Sequence, residues 1–349
     1  VFVGHIRGGL GIVAVISCAV FGSICGAACA TLSCIGAIMF PRLKQGGYPM
    51  GHACALMANA SLLGLLIPPN ATLIIFAWIS GISVLSCFLS TVGPGFVTIA
   101  LLSIINVWML RNNKEVFVEV KRTGKERMDM FMKRGRLAIP ALVMPFMVLG
   151  GIYGGVMTTT EASALAVFYC IPIGLYVYKG LTWRGLFNIV VESAITTGVI
   201  MVMLYSVSML SRLYILEDLP GRVLHLFYSI STNPIVVMMM INLFLVLMGM
   251  LMDDISVVVR TTPILLPIIL DLGFNPVHYA AIVGVNTALG CITPPAAPVL
   301  YLSGRVGGAP INEIMKPALT FMLLCWVPVL IVTAYIPKVC LFLPHVVLG

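Results

Sequence analysis

Two stretches of this chain match each other, ungapped, at a fixed offset of 226 residues, and each carries a double proline inside an apolar segment. Pro68-Pro69 pairs with Pro294-Pro295, Pro41 with Pro267, Gly47 with Gly273, His52 with His278, Ala55 with Ala281, Leu63 with Leu289 and Gly64 with Gly290. Proline donates no N–H and clashes with the preceding turn, so a helix entering either pair must break there. A helix broken at membrane depth is tolerated only where the freed backbone is buried in protein or lines a cavity. Interrupted apolar segments in corresponding halves point to the binding site of a secondary transporter. The stretches 64–70 and 290–296 are therefore the first places to look for chemistry.

The membrane reading rests on composition. Of 349 residues, 60% are hydrophobic and 9% charged, and the mean hydropathy is +1.09. Soluble domains carry roughly 25% charged residues. Ten cysteines lie in apolar stretches with no CxxC pair, and are expected to be buried free thiols. There is no Walker A sequence, no H-E-x-x-H and no nucleophile-elbow serine, so neither an ATP-driven pump nor an enzyme is indicated.

A span needs about 20 apolar residues. Residues 10–41 form such a stretch interrupted by the small residues of 22–28, which predicts a re-entrant hairpin. A broken helix follows over 50–82, then spans over 86–109, 138–154, 159–178 and 184–210, and a mixed interfacial segment over 212–232. Residues 234–269 predict a second hairpin with Asp253-Asp254 at its tip. A second broken helix covers 278–304, and a last span 312–337. The fold class expected is all-α: a polytopic membrane protein with inverted repeats, two re-entrant hairpins and two broken helices. Its organisation reads as repeat 1 over 1–82, scaffold spans over 83–233 with a basic connector at 110–137, repeat 2 over 234–305, and a C-terminal span over 306–349.

Charge supports this arrangement. With sides alternating, one face receives Arg7, Arg42, Lys44, nine residues between Arg111 and Arg136, Lys179, Arg184, Arg305 and Lys316, which is 16 of the 20 Lys and Arg. Excess Lys and Arg marks the cytoplasmic side. The first hairpin then opens to the cytoplasm and the second to the outside. The net charge of +8 follows topology and implies no nucleic-acid partner. The connector also holds Glu115, Glu119, Glu126 and Asp129, and reads as an amphipathic cytoplasmic segment against the lipid bilayer.

Unwound carbonyls and helix ends coordinate Na⁺ in transporter sites. The candidate ion-binding residues are Ser23, Gly26, Gly64, Pro68, Asn70, Asp253, Asp254, Ser256, Gly290, Thr293 and Pro294. Two readings stand for each break, a packing kink or a cation site. Two stand for the small residues at the first tip, close helix packing or ligand approach. One of Asp253 and Asp254 is expected to cap the following helix; two adjacent carboxylates exceed what a cap needs. Candidate substrate contacts are Arg212, able to grip a carboxylate bidentately or to snorkel to headgroups, with Ser61, Thr287 and Asp253. Thr158 and Glu161 read as a capping box. Glu192 lies within a span, and His52 and His278 read as structural.

The runs Gly8-Gly9-Leu10-Gly11, Gly22-Ser23-Ile24-Cys25-Gly26-Ala27-Ala28, Gly47-Tyr48-Pro49 and Ile67-Pro68-Pro69-Asn70 resemble the large membrane subunit of TRAP (tripartite ATP-independent periplasmic) transporters. So do Thr158-Thr159-Thr160-Glu161-Ala162, Met248-Gly249-Met250-Leu251-Met252-Asp253 and Thr293-Pro294-Pro295. The resemblance covers the whole chain. It implies an elevator-type, Na⁺-coupled importer of small organic acids in a bacterial inner membrane. The implied partners are a small four-helix membrane subunit and a periplasmic solute-binding protein that delivers a carboxylate. Family members carry further spans ahead of Gly8-Gly9, so an N-terminally truncated permease is expected; Asn70 stands where the family often has Ser. The rival readings are a stand-alone Na⁺- or H⁺-coupled carboxylate transporter and a passive channel.

The topology makes a direct prediction. Single cysteines introduced as Lys125→Cys and Phe274→Cys should react with impermeant thiol reagents from opposite sides of the membrane. Labelling from the same side would remove the inverted arrangement.

Overall fold

The structure, a computed structural model, describes residues 7–113, 116 and 124–348, excepting the side chains of 124–134, 136 and 137. Of the basic connector, Glu115, Glu119 and the rest of 114–115 and 117–123 therefore lie outside the described residues. Lys125, Glu126 and Asp129 are described in backbone only.

The described residues form helices and no strand. In chain order they are α1 (Gly9–Cys25), α2 (Ala28–Gln45), α3 (Met50–Ser61), α4 (Leu63–Leu66), α5 (Ala71–Ser80), α6 (Val84–Leu110), α7 (Gly124–Tyr153), α8 (Thr159–Pro172) and α9 (Trp183–Leu216). There follow α10 (Leu219–Ile230), α11 (Pro234–Leu251), α12 (Asp254–Asp271), α13 (Pro276–Gly290), α14 (Pro298–Gly307), α15 (Ile311–Phe321), α16 (Val327–Tyr335) and α17 (Pro337–Leu348). Single π-helical turns extend α8 over Ile173–Val177 and join α15 to α16 over Met322–Trp326. Among the described residues, six stretches are long and apolar enough to cross a membrane. The protein is an all-α polytopic membrane protein.

Both expected hairpins are present, as α1–α2 and α11–α12, and both broken helices, as α3–α4–α5 and α13–α14. The small-residue run at 22–28 is not all tip, however. α1 runs on through Cys25, and the chain reverses only at Gly26, whose left-handed φ of 62° a side chain would oppose. Two further boundaries differ from the sequence reading. α9 continues six residues past Leu210 to Leu216, because nothing between them breaks a helix. The chain does not end its helical course near 337 either: Pro337, suited to a first helical turn, opens α17, which packs on α6.

The described chain divides into two compact units, residues 128–220 and the remainder. In the larger, α3 and α13 are central. Every residue from Gly51 to Ser61 and from His278 to Gly290 is buried. A helix apolar on all sides belongs inside a large protein. α3 packs against α1, α2, α14 and α15, and α13 against α6, α11, α12 and α16. Trp326, Tyr279, Phe76, Phe88 and Phe321 are the largest fully buried side chains. The matched histidines are structural here: His52 Nε2 pairs with Asn106 Oδ1 at 3.0 Å, and His278 Nε2 meets the Thr333 carbonyl at 2.6 Å. Asn106 in turn donates to the Gly8 carbonyl, so the His52 pair anchors the start of α1.

The smaller unit holds most of α7 with α8 and α9. The capping box forms as expected, with Glu161 N donating to Thr158 Oγ1 at 3.3 Å and Thr158 N to Glu161 Oε2 at 2.8 Å. Tyr169 Oη donates to the Pro140 carbonyl and ties α8 to α7. Most of α9 is exposed, including Trp183, Phe187, Val202 and Glu192.

In each half, hairpin and broken helix meet backbone to backbone. A Cβ added at Gly22 would lie 2.7 Å from Gly64 Cα, and one added at Gly290 would lie 2.5 Å from Gly249 Cα. Backbone cannot swing aside as a side chain can. Gly22→Ala and Gly290→Ala should therefore each destabilise the protein by about 1–3 kcal/mol, the usual range for overpacking. Gly150→Ala, in open space, should be neutral or slightly stabilising. Thermal unfolding in detergent measures all three; equal melting temperatures would disprove the contact.

Candidate functional site

Each double proline removes two N–H donors, and so frees two carbonyls one turn earlier. At the first break these are the carbonyls of Gly64 and Leu65. Ile67 takes an extended conformation, φ −94° and ψ 117°, as the residue before proline must. Asn70 then serves both sides of the break: its Nδ2 donates to the Leu65 carbonyl, and its Oδ1 accepts from Thr72 N at 2.7 Å, capping α5. Asn70 is 1% exposed, so both bonds are sheltered.

The first hairpin tip closes on this break. Gly26 lies directly against the Pro69 carbonyl, and the Gly64 backbone lies against Ala27 O and Thr31 Oγ1; a Cβ at Gly64 would meet these at 3.1 and 2.9 Å. Thr31 Oγ1 donates to Ala27 O at 2.8 Å. The Pro69 carbonyl of the break thus lies against glycine of the tip, and the Ala27 carbonyl of the tip, which also accepts from Thr31 N at 3.1 Å, lies against glycine of the break.

The second half repeats the plan with different details. Gly249 meets Gly290. The Gly290 carbonyl accepts from Thr293 N at 3.1 Å, and the Cys291 carbonyl from Val299 N at a long 3.4 Å. Thr293 Oγ1 donates to the Leu289 carbonyl at 2.7 Å. Ala297 adopts φ 33° to re-enter the helix at α14. Both proline pairs, Pro68-Pro69 and Pro294-Pro295, have cis peptide bonds.

The two aspartates of the second tip have separate tasks. Asp253 caps α12, accepting from Ser256 N at 3.1 Å and Ser256 Oγ at 2.5 Å. Asp254 instead accepts from Thr72 Oγ1 at 2.6 Å, across 182 residues of chain. That bond ties the start of the second hairpin's α12 to the first turn of α5, just beyond the first break. Two surface clefts, about 710 Å³ along α15 and about 400 Å³ at the foot of α3, are lined by no residue of a tip or a break.

The remaining candidates lie elsewhere or are turned inward. Ser23 Oγ donates back to the Val20 carbonyl. Ser61 donates to the Ala58 carbonyl and Thr287 to those of Val283 and Gly284, all within their own buried helices. Arg212 is exposed on α9, in the other compact unit. Sequence reasoning missed Thr72, whose one signal is a hydroxyl at the second position of an otherwise apolar helix. The thiols also divide differently from expectation: Cys29, Cys34 and Cys170 are exposed and Cys25 half-buried, while the other six are buried. An exposed apolar thiol costs little on a membrane-facing surface. Among the described residues, no group of three His, Cys, Asp or Glu is placed to hold a metal ion.

Comparison with known proteins gives this architecture a family. The family model described as "Tripartite ATP-independent periplasmic transporter, DctM component" matches residues 1–339. The isethionate TRAP transporter permease protein DctMQ of Oleidesulfovibrio alaskensis is 32% identical over 340 residues, 97% of this chain; the chain spans 53% of that relative's length. The C4-dicarboxylate TRAP transporter large permease protein DctM of Pseudomonas aeruginosa is 30% identical over 98% of this chain and 79% of its own. The sialic acid TRAP transporter large permease protein SiaM of Vibrio cholerae is 29% identical over 99% and 80%. With the hairpins, the proline breaks and the membrane spans in place, the chain belongs to the DctM-component family of tripartite ATP-independent periplasmic transporters, as a membrane transport protein and not an enzyme.

Proposed function

We propose that this chain forms the translocating part of a Na⁺-coupled importer of small organic acids. The observation that carries the reading is the first tip pressed onto the first break, which sets the Pro69 carbonyl against Gly26 and the Ala27 carbonyl against Gly64. A Na⁺ ion needs several oxygen ligands and little else, and broken helices supply them in transporters. The second tip and break offer a matching place, where Gly249 meets Gly290. Binding of Na⁺ there would order the tips against the breaks and favour the substrate-competent state. A ligand shifts such an equilibrium only by its differential affinity for the two states.

The substrate class follows from the names of the relatives, which specify isethionate, C4-dicarboxylate and sialic acid. A small organic acid, carrying a carboxylate or similar anionic group, fits a site whose charge a co-bound cation offsets. Arg212 is a further candidate for gripping such an anion. The partners proposed are a small four-helix membrane subunit and a periplasmic solute-binding protein, with the whole in a bacterial inner membrane. The hairpins and broken helices would move together, in elevator fashion, as one body formed of inverted repeats.

Na⁺-dependent thermal stabilisation of the purified protein tests this. A ligand bound only by the folded state stabilises it by about 2.7 kcal/mol at a concentration of 100 times Kd. Melting temperature should rise with NaCl and not with choline chloride at equal ionic strength. Replacing Pro68-Pro69 or Pro294-Pro295 by Ala-Ala restores the missing N–H donors. Each replacement should abolish the Na⁺ effect while leaving cooperative unfolding in choline. An undiminished Na⁺ effect in both variants would rule out ion binding at the breaks.

A further inference from the structure

The hydrogen bond from Thr72 to Asp254 has no role in building either Na⁺ site as proposed above. Among the side-chain to side-chain bonds described, it alone joins the first half of the chain to the second; His52–Asn106 and Asn286–Asn242 each stay within a half. Its two ends sit at sensitive positions. Thr72 is in the first turn of α5, two residues past Asn70, the residue that holds the first break by both ends. Asp254 is the first residue of α12, immediately after Asp253, the cap of the second tip.

Asp254 therefore stands at the N-terminal ends of two helices at once, α12 by sequence and α5 through Thr72. Unpaired N–H groups and the helix dipole favour an anion at both. A hydrogen bond to a carboxylate is among the stronger kinds and depends closely on geometry. If the first break shifts, Asn70 carries the start of α5 with it and Thr72 leaves Asp254. If the second tip shifts, Asp254 leaves Thr72. Neither can rearrange without the other losing this contact.

We infer that Thr72 is a positioning residue which couples the two cation sites through Asp254, so that Na⁺ bound at the first break raises the affinity of the second tip. The inference rests on the Na⁺-coupled reading above. Coupling of this kind is reciprocal, and in proteins amounts typically to about 5- to 150-fold in affinity. Thr72 itself touches no ion; its hydroxyl fixes where Asp254 and the start of α5 lie.

The test is a Na⁺ titration of the protein purified with its small membrane subunit, read by thermal shift and, with the solute-binding protein and its organic acid supplied, by uptake in proteoliposomes. Wild type should show a sigmoidal dependence with a Hill coefficient near 2. Thr72→Val removes the hydroxyl and keeps the bulk; it should bring the Hill coefficient to about 1 and raise the Na⁺ concentration at half-effect by about tenfold. Thr72→Ser keeps the hydroxyl and should restore the wild-type curve. Thr72→Ala, which introduces no new contact, serves if the valine variant fails to fold. A purely structural role would lower the melting temperature in choline without changing the shape of the curve. A wild-type Hill coefficient in the valine or alanine variant, or a hyperbolic wild-type curve, would overturn the coupling. No Na⁺ effect in wild type at all would instead overturn the Na⁺-coupled reading on which it rests.

Discussion

Everything distinctive about this protein depends on two places where backbone lies directly on backbone, Gly22 on Gly64 and Gly249 on Gly290. Inside a bilayer the hydrophobic effect does not press helices together, so close packing of small residues must do so. Glycine at both sides of each contact removes every side chain that would hold the pieces apart. Only then can the Ala27 carbonyl lie against Gly64 and the Pro69 carbonyl against Gly26. The proline pairs alone would give kinked helices with spare carbonyls. The glycine contacts are what let each tip close on its break.

The two halves reach the same arrangement by different chemistry. At the first break a single side chain, Asn70, satisfies the Leu65 carbonyl and caps the next helix. At the second, backbone amides of Thr293 and Val299 take those duties and Ala297 bends into the left-handed region. The first break therefore depends on the identity of one residue, and the second on a local backbone path. The same asymmetry holds at the tips, where glycine turns the first hairpin and an aspartate cap turns the second. The two halves thus share a geometry that different groups enforce.

Much of this was legible from residues close in sequence. Proline breaks, the interrupted hairpins, the Thr158–Glu161 box and the matched positions of His52 and His278 are all local or repeated signals; the structure shows the first two as elements, the box as a cap, and each histidine in a structural bond of its own. The failures have physical causes. α9 runs past Leu210 because a helix stops only where something stops it, and the residues to Leu216 contain no breaker. α17 was missed because twelve residues are too few to register as a span. Which of Asp253 and Asp254 caps is invisible to composition, since either suits the task; in the structure Asp253 caps and Asp254 accepts from Thr72, 182 residues away. A contact of that range leaves no local signature. Gly22 was read both as a packing position and as a place for ligand approach, and its neighbour across the contact, Gly64, supports packing.

The near-complete burial of α3 and α13 also bears on how the chain enters a membrane. They contain 12 and 15 residues, which at 1.5 Å per residue makes them about 18 and 22 Å long. A bilayer's hydrocarbon core is about 30 Å thick. Neither can cross it alone, and each ends in carbonyls that lipid cannot satisfy. Their His52, Asn59 and Asn286 side chains would add to the difficulty of partitioning them singly from the insertion machinery into lipid. Each is shielded from lipid by the hairpin that packs on it, so within the membrane hairpin and broken helix are stable as one unit.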